Sequence, residues 1–226
     1  MALWMGTTSI SLVGMLGGSL SLMEPAVNST PNGCAGRCRF YFRTRDVFVI
    51  TTLACLGAAM SIVLAHVGAA VRAGIGFPGA MQALAGLHVL WLVLSALIVP
   101  QRGSATATGL MKGAVELLLG SPHGLFVLLL GVVAGLLVDL VLWAVPKRLL
   151  RAGIVIAAAL AAGSNVVLFQ LFVRLPRDSV VVVALVCFTA MAAVSGAVFG
   201  GLLALGLVGS LRRAGVVAGT LLDTAR

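Results

Sequence analysis

Only 9% of the 226 residues are charged, six in all are acidic, and tyrosine occurs once. A soluble domain carries about a quarter charged residues, so this chain has too little polar surface to cover a core facing water. Aromatic residues make up 6%, which argues against a membrane β-barrel, whose interfacial girdles need them. Cysteine is sparse as well. Cys55 and Cys187 fall inside apolar runs, where cysteine behaves as a small hydrophobe. Cys34 and Cys38 form a lone CxxxC with no second pair and no neighbouring histidine, which makes neither a zinc site nor a disulfide framework. Catalytic signatures are missing too. The chain has no G-x-x-x-x-G-K-[ST] for ATP and no H-E-x-x-H. Ser195-Gly196 lies within an apolar run, but an intramembrane serine nucleophile needs a base on a neighbouring element. His66, His88 and His123 all precede it, and Ala193 rather than glycine stands two residues before. No enzyme is expected.

What the chain has is apolar length. It is 61% hydrophobic with 28 glycines, and its mean hydropathy is +1.16. Crossing about 30 Å of hydrocarbon takes about 20 helical residues. Six runs meet that need: 46–70, 79–99, 103–120, 124–145, 149–172 and 180–210. The links carry turn signals, as in Pro100-Gln101-Arg102-Gly103 and Pro146-Lys147-Arg148, and leave no room for a soluble domain. The expected fold is an all-α integral membrane protein, a single bundle of six transmembrane helices over 46–210. Residues 1–45 and 211–226 are expected to be cytoplasmic tails, the first poorly ordered.

The net charge of +9 invites a nucleic-acid reading, but the basic residues sit between apolar runs, as membrane flanks do. No nucleic-acid partner is expected. With the N-terminus inside, the cytoplasmic side holds Arg37, Arg39, Arg43, Arg45, Arg102, Lys112, Lys147, Arg148, Arg151, Arg212, Arg213 and Arg226, and the outside only Arg72, Arg174 and Arg177. This bias puts both termini in the cytoplasm of a multi-pass protein of the cell membrane. Residues 1–23 are uncharged and fairly apolar, yet the first basic residue is Arg37, too late for a signal peptide. Asn28-Ser29-Thr30 matches a sequon, without consequence on a cytoplasmic tail.

Acids inside the bilayer are functional candidates by default, at about 2.5–3.5 kcal/mol each. Glu116 is expected near the outer surface and Asp139 in the cytoplasmic half. Each has a plain alternative: an i,i+4 ion pair of Glu116 with Lys112, and a partner for Asp139 among Lys147, Arg148 and Arg151. His123 follows Glu116 in the next turn. His88, Trp91 and Ser95 form one stripe of the second run, with Gln82 nearer its outer end. Asn165, Phe169 and Phe172 form another on the fifth, with Gln170 close by. A carboxylate, imidazoles, an indole and amides at one depth suit a flat, polar heteroaromatic ligand. Small residues recur every four positions at Ala54/Ala58, Gly109/Gly113, Gly131/Gly135 and Gly196/Gly200. Such spacing lets helices approach closely, and on the first helix it could also form a docking face.

Gly120-Ser121-Pro122-His123-Gly124-Leu125, with Glu116-Leu117-Leu118-Leu119 before it and Gly131-Val132-Val133-Ala134-Gly135-Leu136-Leu137-Val138-Asp139-Leu140-Val141 after it, resembles the YkoE-like substrate-binding (S) components of energy-coupling factor (ECF) transporters. Pro78 with Gly86-Leu87-His88 extends the likeness, which is strongest over 78–143. His88 and His123 stand where that family usually has tryptophan, Ala134 where it has Gln, Asp139 where it has Glu, and Leu142 where it has Phe. The resemblance implies a subunit that captures thiamine or its hydroxymethylpyrimidine precursor. It also implies a membrane coupling (T) subunit and two cytoplasmic ATPase subunits as partners, with docking through Ala54 and Ala58. Glu116, His88, Trp91, His123, Gln82, Asn165 and Gln170 are then the expected ligand contacts, with no cofactor. Three alternatives remain open: an S component for a different vitamin, a stand-alone proton-coupled carrier using Asp139 and Glu116, and an assembly subunit without a ligand.

Overall fold

Asp46 stops the first turn of a long helix from fraying, its carboxylate accepting the Arg43 backbone N–H at 3.0 Å. This is α1 (Thr44–Ile75), which ends at Gly76 in the left-handed region, φ 70°, where glycine carries no Cβ penalty. This computed structural model describes residues 42–76, 79–121, 124–173, 178–215, 217 and 220–222. Most of the expected N-terminal tail, with Cys34, Cys38 and the sequon, lies outside those residues, as do Pro78, His123, Arg174, Pro176 and Arg177.

The second run is broken. Helix α2 (Ala80–Ala83) and helix α3 (Ala85–Ile98) meet at Leu84. Next come α4 (Ser104–Leu118), α5 (Phe126–Ala144), a 3-10 turn (Lys147–Leu149) and α6 (Leu150–Val173). The last run holds α7 (Ser179–Ser195), a π-helical segment (Gly196–Leu202) and α8 (Leu203–Arg213). All six expected runs are helical. Among the described residues, five stretches are long and apolar enough to cross a membrane: Thr44–Gly74, Met81–Ile98, Phe126–Ala144, Lys147–Phe172 and Ser179–Arg213. The exception is α4. Its 15 residues reach only about 22 Å, and it carries the pair of opposite charges at Lys112 and Glu116.

Helix α3 is the hub, in contact with α1, α4, α5, α6, α7 and α8. Its Val89, Val93 and Leu97 are at most 1% exposed and pack with Ile154, Ala157, Ala158 and Ala161 of α6 and Ala204 and Val208 of α8. Outward-facing side chains such as Val180, Val183, Val186 and Leu171 are exposed and apolar, as lipid contact requires. The chain past α8 is not wholly a free tail: Leu221 donates its backbone N–H to the Leu97 carbonyl at 2.9 Å, and Thr220 is buried.

Two close approaches fix the bundle. A Cβ on Gly109 would lie 2.1 Å from the Gly131 carbonyl oxygen, and one on Gly131 would lie 2.3 Å from that of Gly109. Thus α4 and α5 touch backbone to backbone, as the four-residue spacing implied. At the α2–α3 break, the Ser195 hydroxyl donates to the Ala83 carbonyl (2.6 Å) and accepts the Gly86 N–H (3.0 Å). That serine supplies partners that the interrupted helix cannot supply itself.

Candidate functional site

Between α1, α3, α4, α5 and α6 lies a cavity of about 540 Å³. Its wall is largely apolar, with Ile62, Ala65, Val89, Leu92, Val127 and Leu130, and it also carries Lys112, Glu116, His88, His66, Ser61, Ser121 and Asn165. Of the expected contacts, the fold thus brings Glu116, His88 and Asn165 together. Trp91, Gln82 and Gln170 do not line the cavity. Trp91 sits behind the wall: a Cβ on Gly57 would meet its ring at 3.0 Å and the Lys112 stem at 3.1 Å. Phe169 and Phe172 turn instead to Phe126 at the start of α5, with ring centroids 6.5 and 4.0 Å apart. His123 lies outside the described residues.

The docking expectation for Ala54 and Ala58 is corrected. Both are 0% exposed, buried where α1 packs on α3 and α4, and so offer no face to another subunit. Their four-residue spacing serves internal packing, like that of Gly109 and Gly131.

Lys112 and Glu116 are one turn apart on α4, each 7% exposed, and Lys112 Nζ donates to Glu116 Oε1. Either charge alone at this depth would cost several kcal/mol, so the pair holds both in place. Glu116 Oε2 has no hydrogen bond among the described residues, which leaves one carboxylate oxygen for a guest. On α1, the Ser61 hydroxyl donates to the Gly57 carbonyl (2.9 Å) and lies 2.8 Å from His88 Nδ1. A hydroxyl has one proton. With it on the Gly57 carbonyl, His88 Nδ1 is the donor to Ser61. Asn165 Oδ1 on α6 is buried without a hydrogen-bond partner. Glu116 Oε2 and Asn165 Oδ1 are thus acceptors beside the Lys112 ammonium, in a wall that is otherwise greasy.

Asp139 makes no ion pair with Lys147, Arg148 or Arg151 among the described residues. Its carboxylate accepts the Thr106 backbone N–H (2.8 Å), the Thr106 hydroxyl (2.6 Å) and, more weakly, the Ala105 N–H (3.3 Å). It caps α4 from across the helix interface, and this fixes the axial position of Lys112 and Glu116. Beside it, Thr108 Oγ1 donates to Ser95 Oγ (2.6 Å), and Ser95 Oγ donates to the Ser104 carbonyl (3.1 Å). Ser95 therefore ties α3 to α4 and does not face a ligand. Ser61, His66, Lys112 and Ser121 were missed as wall residues. The signal for Ser61 was its place in the small-residue row Gly57, Ser61, Ala65, facing α3.

The model of a family described as "ABC-type cobalt transport system, permease component" matches residues 45–165. The chain is 24% identical over 181 residues to a Bacillus subtilis (strain 168) protein named as an HMP/thiamine permease protein, YkoE, covering 79% of this chain and 88% of that one. A solved structure titled as an S-component of an ECF transporter superposes with a TM-score of 0.64 at 23% identity, covering 81% of this chain and 92% of the other. The fold is therefore that of an S component, and the chain is a multi-pass membrane protein.

Proposed function

The chain belongs to the family of ABC-type cobalt transport system permease components, and from that membership and its cavity we propose that it is the substrate-capturing membrane subunit of an ECF-type importer. Its ligand is thiamine or the hydroxymethylpyrimidine precursor. The observation that carries this reading is the cluster of Glu116, Asn165 and His88 in a mainly apolar cavity of about 540 Å³. Apolar walls bury an aromatic ring, and a few acceptors read its exocyclic amino group.

Glu116 Oε2 takes the exocyclic amino group, Asn165 Oδ1 adds a contact, and His88 lines the wall beside them. The buried Lys112 beside Glu116 favours a neutral aminopyrimidine over a thiazolium cation, because a second positive charge would be repelled at low dielectric. The name of the B. subtilis relative supports the same class. Partners are a membrane coupling subunit and two cytoplasmic ATPases, with both termini cytoplasmic. ATP-driven movement of the whole bundle would release the ligand inside.

A thermal-shift screen of the detergent-solubilised chain tests this, with thiamine, its pyrimidine and thiazole parts, riboflavin, biotin and Co²⁺. Stabilisation by the pyrimidine, lost in Glu116→Ala, is expected. Stabilisation by Co²⁺ alone would replace the organic ligand with a metal cargo. Uptake that survives without ATP and collapses with the proton gradient would favour a stand-alone carrier.

A further inference from the structure

A second cavity, about 390 Å³, opens where the 3-10 turn leads into α6. Lys147, Arg148, Arg151 and Arg212 line it, with Leu149 and Leu222. No carboxylate is among its lining residues that the structure describes. The other described acids are engaged or remote. Asp46 accepts Gln101 Nε2 at 2.7 Å, Glu116 binds Lys112, Asp139 caps α4, and Asp178 precedes α7, past the far end of α6. Lys147, Arg148 and Arg151 are all exposed, and these three cations make this end of the bundle positive. The start of α6 adds the positive end of its macrodipole. Depth points to the occupant. Trp143, 64% exposed, lies just before Lys147, and the Arg102 guanidinium sits 5.6 Å from its ring centroid. An exposed tryptophan beside arginine marks the headgroup level of a bilayer. Leu149, 54% exposed, supplies apolar surface beside the cations for the start of an acyl chain.

We infer that this basic cavity binds the phosphate of an anionic phospholipid headgroup in the leaflet on the side of the basic loops. Cation clusters next to transmembrane helices recognise such lipids, each charge contributing about fivefold in affinity. The site is separate from the central cavity and does not depend on the ligand proposed there. Bound lipid would tie the α5–α6 corner and α8 to the headgroup layer.

The test uses the full chain in detergent micelles doped with phosphatidylglycerol or phosphatidylcholine, with lipid retention read by native mass spectrometry. Phosphatidylglycerol should be retained at least tenfold more tightly. The triple variant Lys147→Gln, Arg148→Gln, Arg151→Gln should lose that preference. The charge-keeping triple Lys147→Arg, Arg148→Lys, Arg151→Lys should keep it. Should the glutamine variant not fold, the wild-type preference must still fall as salt rises. Equal retention of the two lipids, a salt-insensitive preference, or full preference in the folded glutamine variant would overturn the inference. So would complete displacement of the lipid by inorganic phosphate, which would make the site one for free anions.

Discussion

Replacing Asp139 with alanine removes the cap that α4 borrows from α5. Two of the three hydrogen bonds are short, to the Thr106 N–H at 2.8 Å and its hydroxyl at 2.6 Å. Losing a helix cap costs about 0.5–2 kcal/mol, and hydrogen bonds to a charged group contribute about 1.5–3 kcal/mol each. The hydroxyl can rotate to another partner, whereas the backbone N–H groups cannot. Asp139→Ala should therefore lower stability by about 2–4 kcal/mol. Asp139→Asn keeps an acceptor in place and should cost about half as much. Equilibrium unfolding in mixed micelles measures both. A double-mutant cycle with Thr106→Val should return a coupling of about 1 kcal/mol. If Asp139 were instead paired with the basic residues at its end of the bundle, neutralising Lys147, Arg148 and Arg151 would reproduce the loss, whereas the cap geometry gives no such effect. An alanine variant within about 0.5 kcal/mol of wild type, the scatter of ordinary surface changes, would refute the assignment.

Gly131→Ala forces a Cβ to within 2.3 Å of the Gly109 carbonyl and should cost about 1–3 kcal/mol by overpacking. Gly206→Ala, with nothing within 4 Å, should be near neutral in the same thermal unfolding assay. Ser195→Ala strands the Ala83 carbonyl and the Gly86 N–H and should cost about 2–4 kcal/mol, from about 1–3 kcal/mol per orphaned group, measured by the same unfolding. Lys112→Met leaves Glu116 as a lone buried charge and should destabilise by about 3–5 kcal/mol. In direct binding it should shift the preference about tenfold from the neutral pyrimidine towards cationic thiamine, because a like charge has been removed.

Sequence legibility followed length scale. Six helices, the glycine seams and the S-component likeness could all be read because apolar runs and four-residue spacings are local patterns. The residues 103–120 read as a span, yet α4 is too short to cross alone, because Lys112 and Glu116 are tolerated only inside a ring of neighbouring helices. Depth along a helix was legible as well, so Glu116, His88 and Asn165 were found at one level. Rotation about the axis was not. Trp91 and Ser95 share a stripe with His88, but the Gly57 gap draws Trp91 towards α1, and the Ser104 carbonyl and Thr108 hold Ser95 against α4. The buried faces of Ala54 and Ala58 were likewise invisible, since a small-residue row looks the same whether it meets its own bundle or a partner. Asp139 was hardest to place, because its partners are backbone groups 33 and 34 residues away in sequence.

Titration calorimetry of the purified chain with hydroxymethylpyrimidine, run for wild type and Glu116→Gln side by side, addresses the role of the central cavity most directly. The expected result is one site per chain in the wild type and an affinity at least tenfold weaker in the variant, measured at a temperature where circular dichroism shows both proteins folded. Binding of equal strength in the two proteins, or heat from neither the pyrimidine nor thiamine in the wild type, would contradict it.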